Sequence, residues 1–375
     1  MKIAMLGLRG IPATYGGIEK HVEELSVRLV KMGHDVTVYC RDSYVETKEN
    51  EHRGVKLRKL PCINTKSLEA ATHTFIASLD LLPRHFDIVH YHALGPSVFS
   101  VIPRVFGKNI VVTIHGLDWQ REKWGRGAKA FLKLGERTAV LVPRATISVS
   151  RSLRDHLQQK YGRQVDYIPS GVTDPVFRQP ELIKKEYGLE GHDYILFVAR
   201  LVPEKGCHFL LDAYAKLKPG MRLMVVGGSS HTDEYVEQLR AKATDGVTFT
   251  GYLYGDILQE LYSNAYCYIH PSTLEGLPIT LMEAASYGNC IITSDIPPNL
   301  EVVTEIGLTF PSGDADGLME QLRKTLEQPD LAAELRRKAR DRGVSEYSYD
   351  RVAEQTEAVY QRVLDTKRNM RSAGS

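Results

Sequence analysis

Apolar residues along this chain follow two alternating patterns. Short apolar-rich runs near Lys2 to Leu8, Asp35 to Cys40, Val55 to Leu60, Asp87 to Tyr91, Asn109 to Ile114 and Ala145 to Val149 read as strands. The stretches between them carry apolar residues at helical spacing. The alternation restarts at Tyr194, with strands expected near Tyr194 to Ala199, Arg222 to Val226, Val247 to Thr250, Cys267 to His270 and Cys290 to Thr293. Strand and helix in regular alternation predict parallel sheets with right-handed crossovers, and two such series predict two sheets, in keeping with 375 residues.

The most informative break in this pattern follows the strand Cys267 to His270. There Glu275-Gly276-Leu277-Pro278-Ile279-Thr280-Leu281-Met282-Glu283 sets two acids eight residues apart around the start of a predicted helix. Gly276 allows close backbone approach, Pro278 suits a first helical turn, and free amides around Leu277 and Ile279 form a positive terminus that favours a phosphate. A second strand end, Val198-Ala199-Arg200-Leu201-Val202-Pro203-Glu204-Lys205-Gly206, supplies two cations five residues apart ahead of a helix. Cations there oppose the helix dipole, so they imply an anion between them. Breaking a bond between a sugar and a nucleoside diphosphate builds negative charge on the leaving phosphate. Arg200, with its bidentate fork, and Lys205, with its compact charge, are suited to neutralise it without a metal.

This arrangement resembles the Glu-x7-Glu motif of the family-four retaining glycosyltransferases. The resemblance implies α/β architecture of GT-B type: two Rossmann-like domains whose parallel sheets face a cleft. It also implies that Glu275 contacts the donor sugar and that Glu283 holds the ribose hydroxyls. Tyr167-Ile168-Pro169-Ser170-Gly171-Val172 resembles the interdomain crossing. The expected domains are therefore 1–171, completed by a returning helix over 350–366, and 172–349 as the donor domain. At the amino terminus, the glycine-rich turn Gly7 to Glu19 does not spell a dinucleotide fingerprint, which argues against NAD. Its Gly16-Gly17 pair is similar to the double-glycine loop of retaining GT-B enzymes, which implies backbone amides near the leaving phosphate and the acceptor. The string Arg9-Gly10-Ile11-Pro12 with Tyr15-Gly16-Gly17 and Glu19 also looks like bacterial rhamnosyltransferases of surface polysaccharides. Tyr15 is on this account an acceptor-side or loop-orienting candidate.

Thr113-Ile114-His115-Gly116-Leu117-Asp118 ends an apolar strand, the position from which a parallel sheet addresses a ligand. By resemblance His115 lies near the donor sugar and Asp118 orients the loop or the acceptor. His270 beside Pro271 reads as a local packing or hydrogen-bonding residue. Asp314-Ala315-Asp316 fits the first turn of a helix rather than a metal-binding acid pair. No metal and no cofactor is expected, with the nucleoside diphosphate sugar as substrate and its base open among UDP, GDP and dTDP.

Charge changes the picture of partners. The net charge is only +2, yet residues 1–170 hold 26 Lys and Arg against 16 Asp and Glu. Residues 119–133 combine five cations with both tryptophans, which fits either docking of this segment on an anionic membrane surface or a solvated helix face. No recognised nucleic-acid module surrounds the patch. The apolar runs are strand-sized and the chain enters its first strand without a signal-peptide pattern, so a cytoplasmic enzyme is expected, peripheral at the inner face of the plasma membrane. Five scattered cysteines read as core thiols of a reducing compartment.

The function these residues imply is retaining, metal-independent transfer of a sugar from a nucleoside diphosphate donor to an acceptor hydroxyl. The acceptor class implied is a lipid-linked saccharide or growing glycan in cell-surface polysaccharide synthesis. Absence of an evident nucleophile favours same-face attack, with the leaving phosphate taking the acceptor proton. Two alternatives remain at this stage, a nucleotide-sugar epimerase or hydrolase, and a non-catalytic nucleotide-sugar-binding subunit.

Overall fold

The computed structural model describes the whole chain except residue 15 and residues 46–48, 64, 66, 67, 122, 123, 230, 231, 343, 344 and 373–375. It forms two compact units, Met1–Gly171 with Tyr349–Ser375, and Val172–Ser348.

In the first unit the order is β1 (Lys2–Leu6), α1 (Gly17–Lys31), β2 (Asp35–Arg41), β3 (Glu51–His52), β4 (Val55–Leu60), α2 (Glu69–Asp80), β5 (Ile88–His92), α3 (Leu94–Ser97), α4 (Val101–Val105), β6 (Ile110–Ile114), α5 (Arg126–Leu141), β7 (Ala145–Ser148), α6 (Arg151–Tyr161) and β8 (Asp166–Tyr167). The sheet runs β3-β4-β2-β1-β5-β6-β7-β8, parallel throughout except for the short antiparallel β3. Both faces are covered, so the central strands read as continuous apolar runs: every residue of β5 and of β6 is buried. One core lies on the α1 face and takes in Val22, Leu25 and Leu29, while the other gathers Ala77, Leu132 and Ala139 from α2 and α5.

The second unit holds α7 (Leu182–Tyr187), β9 (Tyr194–Val198), α8 (Cys207–Leu217), β10 (Arg222–Val226), α9 (Asp233–Lys242), β11 (Val247–Gly251), α10 (Asp256–Asn264), β12 (Cys267–His270), α11 (Ile279–Ser286), β13 (Cys290–Ser294), α12 (Pro297–Val303), β14 (Gly307–Phe310), α13 (Ala315–Glu327) and α14 (Pro329–Arg342). Its parallel sheet runs β11-β10-β9-β12-β13-β14. Both sheets therefore reverse strand order beside their first strand, at β1/β5 and at β9/β12, which is where open α/β sheets carry ligands. As the pattern predicts, Asp314 caps α13, its carboxylate accepting from the amides of Asp316 and Gly317 at 3.0 Å. Four of the five cysteines are buried and Cys62 is partly so; all are free thiols.

The last helix, α15 (Tyr349–Ser372), belongs to the first unit and lays Val352, Val359, Tyr360 and Val363 into the core on the α1 face. Fully buried Tyr360 also reaches His90, its hydroxyl 2.7 Å from Nδ1. Truncation of Tyr360 removes a large ring and strands a buried imidazole. Tyr360→Ala is expected to lower unfolding free energy by about 3–5 kcal/mol, and Tyr360→Phe, which loses only the hydroxyl, by about 1–3 kcal/mol. Denaturant titration of the two variants checks both values.

Candidate active site

In the second unit the loops that follow β9 and β12 meet at the point of strand reversal. Gly206 makes this approach feasible: its φ is +71°, and a Cβ there would lie 2.1 Å from the carbonyl oxygen of Pro271. The Thr273 amide donates to the Glu204 carbonyl at 2.9 Å, pinning one loop to the other. The result is an ion pair between Lys205 Nζ and Glu275 Oε1 at 2.5 Å, with the side chains 17% and 7% exposed. His270 Nε2 lies 2.9 Å from the same carboxylate oxygen, and Ser272 Oγ lies 3.1 Å from that nitrogen.

Burial alone would raise the Glu275 carboxyl, but the Lys205 ammonium and the hydrogen bond from His270 hold it well below the ordinary carboxylate range. Burial has the larger effect on His270 and lowers it in spite of Glu275. An ionised Glu275 accepts, so a neutral His270 carries its proton on Nε2 and turns bare Nδ1 to the Tyr268 hydroxyl at 3.3 Å. Lys205 is thus paired with an acid, where the sequence suggests a cation awaiting phosphate. His270 is the hydrogen-bonding residue that its place suggests, and its partner is Glu275, which it orients. The one signal for it in sequence is its place at a strand end five residues before that acid.

Pro278 stands at the cap of α11, one residue ahead of its first helical residue, and no side-chain hydrogen bond closes the first turn. Gly276 and buried Leu277 lead into that turn, whose amides offer a site for an anion. Glu283 projects from the middle of α11 toward Tyr262, whose hydroxyl donates to Oε2 at 3.4 Å. Tyr262 stacks on Tyr287 at 5.4 Å, so an aromatic floor supports this second acid. Arg200 lies partly buried just beyond β9.

In the first unit Gly16 and Gly17 open α1. Gly16 adopts φ +108°, and a Cβ there would meet the Glu19 carboxylate at 2.0 Å. Glu19 is buried and accepts from the Arg9 amide at 3.2 Å, tying the turn after β1 to the helix. Tyr15 lies outside the described residues. His115, at the end of β6, stacks on His92, the rings 5.4 Å apart and Nε2 3.1 Å from Nδ1. The ring of His21, from α1, stands edge-on 5.2 Å from His115. Burial lowers all three imidazoles far below their usual value, to about 3 for His21 and His115, and each is further lowered by its neighbours. Nitrogens of these three residues lie within 4.8 Å of one another, the one group among the described residues that could hold a metal ion. His21 and His92 have no sequence signal of their own, since only the strand order brings them to His115. Asp118 pairs with Arg121 at 3.2 Å and so braces its own loop.

The basic segment after it turns its tryptophans toward the fold. Trp119 and Trp124 pack against the core on the α5 face. Trp119 Nε1 donates to buried Glu136 at 2.6 Å, and the Lys133 ammonium lies 5.0 Å from the Trp119 ring. Both tryptophans are half-buried and engaged within the fold. Lys123 lies outside the described residues.

Known proteins resemble both halves of the chain. Residues 15–174 match the family described as "Glycosyltransferase Family 4", and residues 179–342 match "Glycosyl transferases group 1". Alpha-maltose-1-phosphate synthase of Mycolicibacterium smegmatis is 27% identical over 395 residues, covering 97% of this chain and 100% of that protein. Among solved structures, sucrose-phosphate synthase of Thermosynechococcus elongatus superposes with a TM-score of 0.81 at 20% identity, covering 97% of this chain and 99% of its own. Anabaena HepE in complex with UDP-glucose gives 0.80 at 17%, covering 96% and 99%.

The ion pair generates a prediction about stability. Unfolded His270 takes up a proton below pH about 6.5 and unfolded Glu275 below about 4.3, whereas both resist protonation in the native state, so stability falls as pH drops through these two windows. Lys205→Met leaves Glu275 buried beside His270 alone and is expected to lose about 3–5 kcal/mol at pH 7. Lys205→Met combined with Glu275→Leu should lose less than the two single losses added together. Urea unfolding of the double-mutant cycle measures the difference; additive losses would show that the pair is not coupled.

Proposed function

The chain belongs to the glycosyltransferases of GT-B fold, with a Family 4 domain followed by a group 1 domain, and from that premise we propose that it transfers its sugar with retention and without a metal ion. The donor is a nucleoside diphosphate sugar. The acceptor is a hydroxyl of a lipid-linked saccharide or growing glycan in cell-surface polysaccharide synthesis, at the cytoplasmic face of the membrane.

The observation that carries this reading is the Lys205–Glu275–His270 cluster beside the open amino end of α11, at the strand reversal of the second unit. A diphosphate seated on the amides around Leu277 draws Lys205 and Arg200 to its oxygens. Glu275, fixed by His270, then accepts from sugar hydroxyls, and Glu283 accepts from ribose. His115, held neutral, is a hydrogen-bonding partner for a sugar hydroxyl rather than a source of positive charge. In the transfer step the bond from the anomeric carbon to phosphate oxygen breaks, a bond to the acceptor oxygen forms on the same face, and the acceptor proton passes to the departing phosphate. The donor base is open among UDP, GDP and dTDP; the bound UDP-glucose of HepE and its similar fold support UDP as the first to test. The likeness of the Arg9 to Glu19 string to surface-polysaccharide rhamnosyltransferases supports the acceptor class.

Calorimetry with UDP, GDP, ADP and dTDP, with and without EDTA, tests the site. One diphosphate should bind in EDTA and Arg200→Ala should abolish that binding. Glu275→Gln is expected to cut transfer roughly 10²–10³-fold, and proton NMR of the product should show the donor's anomeric configuration retained. Inversion would overturn the mechanism, and release of free diphosphate with no acceptor present would favour a hydrolase or epimerase.

A further inference from the structure

In the first unit β5 and β6 run side by side, with His92 in register with Thr113. That register brings His92, the last residue of β5, beside His115, which directly follows β6. His21 joins them from α1, its ring 6.1 Å from that of His92 and 5.2 Å from that of His115. One nitrogen from each ring lies within 4.8 Å of the other two, and His92 Nδ1 is 3.1 Å from His115 Nε2.

A histidine buried for packing finds partners for its nitrogens, and the next ring along β5 does so. His90, whose ring centre is 4.2 Å from that of His92, meets the Tyr360 hydroxyl at Nδ1 and the Thr113 hydroxyl at Nε2, both at 2.7 Å. The other three rings are not closed in this way. His21 Nδ1 and His92 Nε2 are buried without a hydrogen-bond partner, on residues only 3% and 0% exposed. Each such nitrogen gives up water for nothing, at a cost of about 1–3 kcal/mol. Two in one cluster call for a partner that the chain itself does not supply.

A neutral imidazole binds a metal ion through its lone pair, and burial keeps these three rings neutral. Nitrogens held at about 2.0–2.1 Å around a tetrahedral Zn²⁺ stand roughly 3.3 Å from one another. The His92 and His115 nitrogens are already close to that spacing, and ring rotations of His21 close the wider gap. The donor set is nitrogen alone, with no carboxylate in the group. Such a set suits Zn²⁺, Co²⁺, Ni²⁺ or Cu²⁺ and not Mg²⁺ or Ca²⁺, which take oxygen ligands. His115 is only partly buried, which gives an ion a way in and leaves room for a fourth ligand.

We propose that His21, His92 and His115 form a binding site for a transition metal ion of the Zn²⁺ class, and that filling it inhibits transfer. The inhibition rests on the proposed function, in which His115 meets a sugar hydroxyl, whereas the binding does not. A bound ion takes the His115 lone pair and puts two positive charges where an uncharged hydroxyl would sit. Chelation then protects an enzyme whose transfer step needs no metal.

Titration of the untagged full chain with Co²⁺, after removal of trace metal with EDTA and without donor or acceptor, tests the site. One equivalent should give the visible d–d bands of a four-coordinate, nitrogen-ligated ion, bleached by Zn²⁺ and unaffected by Mg²⁺. His21→Gln and His92→Gln each remove one ligand and should weaken Co²⁺ binding roughly a hundredfold or more, with far-UV circular dichroism showing that the variants are folded. In the transfer assay Zn²⁺ should inhibit as the site fills. His21→Gln, which keeps His115, should raise the half-inhibiting Zn²⁺ concentration by the same factor. Absence of the bands in the wild type, or bands that persist at the same affinity in the folded variants, overturns the site. Undiminished transfer by the Zn²⁺-filled chain overturns the inhibition. Because Co²⁺ binding is read on its own, failure of the site and failure of the transferase reading are told apart.

Discussion

A carboxylate held out of water stays ionised only if other groups replace what water gave it. Glu275 is that group in this protein, and much of the second unit can be understood as its support. Lys205 supplies the opposite charge and His270 a fixed hydrogen bond. None of this is possible unless two loops on adjacent parallel strands run nearly in contact, which the absence of a Cβ at Gly206 permits. The same closeness sets the pair beside the amino end of α11. In the proposed function, anion binding there amounts to sharing or exchanging the partner of Lys205, while the ordered acid accepts from a hydroxyl-bearing group.

The first unit repeats the strand order around its own reversal point but satisfies buried polarity differently. Its crevice is lined by imidazoles that are neutral because burial disfavours the protonated form of each, and neighbouring imidazoles lower them further. They meet edge to face or stacked, with one hydrogen bond between His92 and His115. The two sheets thus settle buried polarity in different ways: one compensates charge with charge, and the other keeps its rings neutral.

What the sequence reveals follows from how local each feature is. Strands such as Ile110–Ile114 and Tyr194–Val198 match their apolar runs because every residue of them is buried, whereas Val55–Leu60 shows itself by buried Val55, Leu57 and Leu60 set among Lys56, Arg58 and Lys59. The two-residue β3 and β8, and β14 with its half-exposed Gly307–Phe310, lack such a run and are invisible to it. Arg200, Lys205, Glu275 and Glu283 stand out because a strand end followed by a helix start is itself a local signal. His270 beside Glu275, and His21 and His92 beside His115, depend on which strands become neighbours, and no spacing along the chain encodes that.

The basic segment shows the same limit from the other side. Tryptophan among lysines has one sequence signature and two physical outcomes: the ring seeks a membrane interface, or it gives its face to a cation and its N–H to an acid within the fold. Glu136 decides between them. Buried and bound by Trp119, Lys160 and Tyr161, it draws the indole inward, and Lys133 then lies over the ring. With the indole drawn inward, the segment keeps its cations but not the freely exposed ring that its sequence pattern suggests. The exposed faces of α2 and α4 carry no such signature, because Val101 and Val105 read like core valines although they are 39% and 78% exposed.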